Sequence, residues 1–126
     1  MDIDEGTENA MLDAAAARVN GGDCLFREGS TTLLTFSLKA TAFAAAAGGE
    51  AQLDVADPAM SAAASADATV ALDNYQFRSS LAEVRLSGDI GAIGSGAEIE
   101  MNHPDVKQND VVDMLDFMLY FAEEAP

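Results

Sequence analysis

Apolar and polar positions change rhythm at a glycine pair near residue 21, which divides the chain into a helical opening and a longer β-type region. Met11, Ala15 and Val19 recur at i, i+4 and i+8, with Leu12 and Ala16 beside them, which makes one narrow face of an α-helix over residues 7–22. The ends agree with this. Thr7 can cap the first free N–H groups, Glu8 complements the positive end of the helix dipole, Arg18 sits in the last turn, and Gly21 or Gly22 stops the helix. From residue 23 the period falls to two. Residues 23–28 read as a strand ending at Gly29, and residues 31–38 set Thr32, Leu34, Phe36 and Leu38 against Leu33, Thr35 and Ser37. The two residues between them, Gly29 and Ser30, predict a hairpin.

The remaining elements follow the same reading. Phe43 leads through alanines to a Gly48-Gly49 turn, then residues 50–57 alternate as a strand until Pro58 stops them. Residues 60–66 read as a small-residue loop. In residues 69–78, Tyr75 and Phe77 fall out of phase with Val70 and Leu72, which predicts a bulge or break near Asp73-Asn74. Ser79-Ser80 reads as a turn, residues 81–88 as a strand, 90–96 as a Gly-rich connection, and 97–102 as a short strand broken by His103-Pro104. Leu115, Phe117, Leu119 and Phe121 alternate with Asp116, Met118, Tyr120 and Ala122 and predict a long closing strand over 111–124. Val111, Leu115, Met118 and Phe121 also fit helical spacing. The whole predicts a mainly β fold, a β-sandwich of jelly-roll or Ig-like type with a short N-terminal α-helix. Residues 1–22 form the arm and helix and residues 23–126 the sandwich, as one folding unit.

Composition makes this core thin. Of the 126 residues 49% are hydrophobic, but much of that is alanine, in runs at 14–17, 44–47 and 62–64. At about 25 cal/mol per Å² of buried apolar surface, such a domain folds alone with a modest margin, so burial against further copies in a homo-oligomer is expected. Twenty-two acidic side chains against six basic ones give a net charge of −16. The cations Arg18, Arg27, Lys39, Arg78, Arg85 and Lys107 are dispersed, which excludes nucleic acid and anionic membranes as partners. The acidity serves solubility or docking onto a basic surface. The opening Met1-Asp2-Ile3-Asp4-Glu5 has no cationic stretch before an apolar one, and no run is long enough to cross a membrane, so neither a leader nor an anchor is expected. Cys24 is the only cysteine and reads as a buried strand residue.

Chemistry has few candidates. His103, the sole histidine, lies in a turn, no nucleophile-bearing motif surrounds Cys24 or the serines, and no zinc-ligand spacing occurs. Asp2-x-Asp4-x-Gly6 falls short of a calcium loop, and Asp110, Asp113 and Asp116 align only on a helix. Gly88, Gly91, Gly94 and Gly96 lack the Lys-Ser/Thr pair of a phosphate cradle. No catalytic, cofactor-binding or metal-binding residue is therefore expected, and the reading is non-enzymatic.

The order of residues 9–14 (Asn9-Ala10-Met11-Leu12-Asp13-Ala14), Asn20-Gly21-Gly22, Leu33-Leu34-Thr35-Phe36-Ser37, Ala42-Phe43, Gly48-Gly49 and Ala66-Asp67-Ala68-Thr69 resembles a family of small structural-cassette proteins of tailed phages and prophages. In that family an Ala-rich helix precedes a β-sandwich-like domain whose last strand ends near a C-terminal proline, matched here by residues 117–126. The chain keeps the strand of that pattern at residues 81–88 and departs from it at residues 103–109. The resemblance implies a phage setting; in that setting the thin core suits a virion structural protein, made in the host cytoplasm and carried on the head surface as a capsid decoration or cement subunit. Its partners would be the major capsid protein or other virion proteins, with Met11, Leu12, Ala15 and Val19 at subunit contacts. The alternative is a tail or fibre module that recognises a host surface, with Tyr75 or Tyr120 exposed for stacking on sugars.

Overall fold

The computed structural model describes residues 4–53, 61–113 and 118–120. Helix α1 spans Glu5–Ala17, and its cap is Asp4, not Thr7. The Thr7 N–H donates to Asp4 Oδ1 at 2.9 Å and the Thr7 hydroxyl to Oδ2 at 3.0 Å, so the predicted cap occupies the third helical position and is itself the partner of the real one. These bonds hold the Asp4 carboxyl below its usual range, the Thr7 N–H contributing most. Leu12 and Ala16 face inward, and Val19 continues the face beyond the helix end. The buried stripe is thus rotated by one position from Met11–Ala15–Val19, and Met11 remains 43% exposed.

Strands β1 (Asp23–Glu28) and β2 (Thr31–Ser37) form the predicted hairpin, turning at Gly29 with φ 56°. The Gly48-Gly49 turn is also present, both residues lying at positive φ before strand β3 (Glu50–Gln52). Residues 54–60, which include the end of that predicted strand and Pro58, lie outside the described residues. Strand β4 (Ser61–Ala63) replaces the expected small-residue loop, because the backbone pairs with a later strand although the side chains carry no period-2 signal.

The break predicted near Asp73-Asn74 is where strand β5 (Asn74–Arg78) begins. Strand β6 spans Val84–Ala92 rather than 81–88. Its start is delayed by a turn in which Ser79 Oγ accepts the N–H groups of Leu81 and Glu83 while Ala82 takes φ 61°. Its end runs on through Ile90, Gly91 and Ala92, which the sequence suggests are connection. Strand β7 (Ile99–Met101) then pairs in parallel with β6 after a link of residues 93–98, folded back by Gly94 and Gly96 at φ 89° and 83°. Parallel neighbours ordinarily need a crossover of a dozen residues or more; here the link of residues 93–98 reverses direction twice, and only three residue pairs are joined. The closing segment supplies β8 (Val111–Asp113) and β9 (Met118–Tyr120), which pair with β4 and β3 respectively, so its described parts are two strands, not one strand or a helix.

The main sheet has the order β2-β1-β5-β6-β7. Cys24 and Phe26 of β1 face Phe36 and Leu34 on one side and Phe77 and Tyr75 on the other, which gives the sheet one continuous apolar face. Leu12, Ala16, Val19, Phe43, Ala51 and Leu53 pack in the same core cluster, as do Ala64, Ala68, Leu72 and Val106. Phe26 meets Phe36 edge-on with centroids 4.9 Å apart, and Phe43 reaches Phe77 at 6.0 Å, joining the layers. The result is mainly β and sandwich-like, with a single N-terminal helix among the described residues.

Candidate functional site

Four side chains were expected at subunit contacts. Leu12 and Val19 are 4% and 0% exposed and are spent in the chain's own core. Met11 is open and Ala15 half-buried, so only these two of the set face outward at all. Tyr75, an expected sugar-stacking ring, is 4% exposed and lies against Phe77, with its hydroxyl donating to Glu98 Oε2 at 3.3 Å. Burial and the neighbouring Glu98 push its phenol pKa upward. The Tyr120 side chain lies outside the described residues. Cys24 is buried as expected, and burial, reinforced by Asp23, raises its thiol pKa and keeps it protonated. His103 is exposed. No group of three or more His, Cys, Asp or Glu able to hold a metal occurs among the described residues.

What the acidic and amide side chains do instead is bind backbone. Glu28, at the end of β1, accepts the N–H groups of Thr69 and Val70 at 2.7 Å and of Ala71 at 2.8 Å. Val70 and Thr69 contribute most to holding its carboxyl below the usual range. Asp73 Oδ1 accepts the Gly29 N–H at 3.0 Å, and the Asn74 amide donates to the Gly29 carbonyl at 2.9 Å, so the β1–β2 turn is tied to the start of β5. On the helix, Asn9 Oδ1 accepts from Gly49 N–H at 2.9 Å and Asp13 Oδ1 from Ala46 N–H at 2.7 Å. Asn20 Oδ1, beyond the helix end, accepts from Ala42 N–H at 3.0 Å. These roles join residues 22 to 45 positions apart. No local motif announces them.

The outer face of the main sheet is different in kind. Directly opposed residues of neighbouring strands point to the same side. Opposite the core, the register places Ser37, Asp23, Arg78 and Val84 in one row. Thr35, Leu25, Gln76 and Ser87 make the next, and Thr32, Arg27, Asn74 and Asp89 the third. Two arginines balance two aspartates there, in a chain whose net charge is −16. Arg78 clamps Asp23 with two bonds, Nε to Oδ1 at 2.7 Å and a terminal nitrogen to Oδ2 at 2.6 Å, and this pairing raises the arginine pKa. Leu25, 6% exposed, is buried outside the core cluster, and its place at the centre of this face accounts for that, since long polar side chains flank it. The sequence carried half of this signal, in the polar positions alternating with Cys24, Phe26, Tyr75 and Phe77. Beyond the β1–β2 hairpin, which strands lie side by side was not legible. The arrangement offers ion pairing and hydrogen bonding across the face, which bulges at Phe26/Arg27 and Phe77/Arg78 interrupt, and this suits recognition.

Comparison with known proteins returned no match to a family model, a curated protein or a solved structure.

Proposed function

We propose that the protein is a non-enzymatic structural component of a tailed-phage virion, a decoration or cement subunit that binds the head shell through the major capsid protein. The observation that carries this reading is the use of its polar groups: Glu28, Asp73, Asn9 and Asp13 are committed to backbone amides, and the charge-balanced outer sheet face is suited to binding rather than reaction. The phage setting rests on the resemblance of residues 9–69 and 117–126. A thin, alanine-rich core suits a subunit that gains stability by being held in an array, where each copy contributes modest area and many copies act together. Quantitative protein analysis of purified particles tests it. A copy number comparable with that of the major capsid protein is the expected result. A handful of copies would move the protein to the tail, and absence from the particle would overturn the structural role.

A further inference from the structure

The geometry points to the outer face of the main sheet as a homotypic interface, on which a second copy of the chain stacks face to face with its strands aligned. Two molecules of net charge −16 repel one another over most approaches. The three outward rows of β2, β1, β5 and β6, where two arginines offset two aspartates, lessen that repulsion at the point of contact, and Glu100 of β7 stands outside them. The face is also self-complementary. A two-fold axis running along the strands between β1 and β5 lays β1 over the partner's β5 and β2 over the partner's β6, row upon row. Asp23 then meets the partner's Arg78, and Arg78 the partner's Asp23. In the middle row Thr35 meets the partner's Ser87, and no row opposes like charges. Aligned packing of this kind is the ordinary way two sheets meet, about 10 Å apart and within about 30° of parallel. Thr35, Ser37, Val84 and Ser87 stand exposed and are available for it.

This assignment is independent of the virion reading, and its test uses the purified chain alone. Sedimentation analysis across a concentration series is expected to reach twice the 13.1 kDa mass of the chain. Raising the salt concentration is expected to tighten the dimer, since screening removes the residual repulsion and leaves a neutral contact intact. T35E/S87E sets carboxylates against each other across the two-fold and is expected to weaken the dimer about tenfold or more, while T35E/S87K restores it. Both positions are solvent-exposed, and an unchanged far-ultraviolet circular dichroism spectrum confirms that the variants fold. A monomer at every concentration, a dimer indifferent to T35E/S87E, or one dissociated by salt would overturn the assignment. So would a monomer whose binding to capsids is abolished by T35E/S87E, which would make the face a shell contact instead.

Discussion

Glu28 rests a single carboxylate on three successive backbone N–H groups, those of residues 69–71. Those bonds favour the charged form, so the folded-state pKa lies below the unfolded value of about 4.5. A carboxyl depressed in this way contributes stability that is fully present above the unfolded pKa and is lost as pH falls through the folded one. Glu28→Gln is therefore expected to lower the urea midpoint at neutral pH, by an amount that shrinks as the pH is taken below that value of 4.5. Urea titrations at stepped pH check this, and a gap that does not change with pH would show that the charge contributes nothing. Asp4 is depressed too, but it is common to both proteins and cancels in the difference. Neither role was legible locally. Asp4 and Thr7 are both good caps, and only the fold decides between them, while the amides that Glu28 holds lie more than 40 positions away. Gly88 shows a third way of being hidden. It faces Tyr75 across the strands, and a Cβ there would run into the Tyr75 ring and the Glu98 carboxylate. A glycine that read as the end of a strand is the seat of an aromatic ring within it.

At the scale of elements, α1 is fastened partly by side-chain oxygens reading main-chain donors. Asn9→Ala leaves the partly buried Gly49 N–H without its acceptor and is expected to cost about 1 kcal/mol. Asn9→Asp keeps an acceptor there and should cost little. Denaturant titration of the pair separates the hydrogen bond from the rest of the helix, and equal losses would assign the effect to the helix itself. The elements most legible in the sequence were those with local punctuation and clean alternation. The β1–β2 hairpin had Gly29-Ser30 between two period-2 runs, and the break before β5 was marked by the phase slip from Leu72 to Tyr75. Strand β4 had no such signal, since alanine and serine suit either face, and its pairing with β8 across the chain is what makes it a strand. The helix stripe was off by one position because alanine occupies Ala14, Ala15, Ala16 and Ala17 alike and fixes no face. Leu12 and Val19 decide it by their size.

For the whole molecule, mainly β architecture followed from the run of short alternating segments, while the strand order β2-β1-β5-β6-β7 depends on pairings no local pattern encodes. Charge acts at this scale as well. A net −16 on 126 residues opposes compaction, and that repulsion is screened as the Debye length falls to about 8 Å at physiological ionic strength. The melting temperature is expected to rise with added sodium chloride. Calorimetry on T35E/S87E at low protein concentration, where the weakened dimer contributes least, checks this, and a fall would show that local ion pairs such as Asp23–Arg78 outweigh the global field. The docking of α1 has a consequence for how the protein can be varied. Because Asn9, Asp13 and Asn20 recognise the amides of residues 49, 46 and 42 and not their side chains, the exposed alanines at 44, 45 and 47 are free of the helix's demands. That strip is a writable surface, where side chains can drift, provided no proline is placed at 44 or 47, whose N–H groups donate to the carbonyls of Gln52 and Glu50, or at an amide the helix holds.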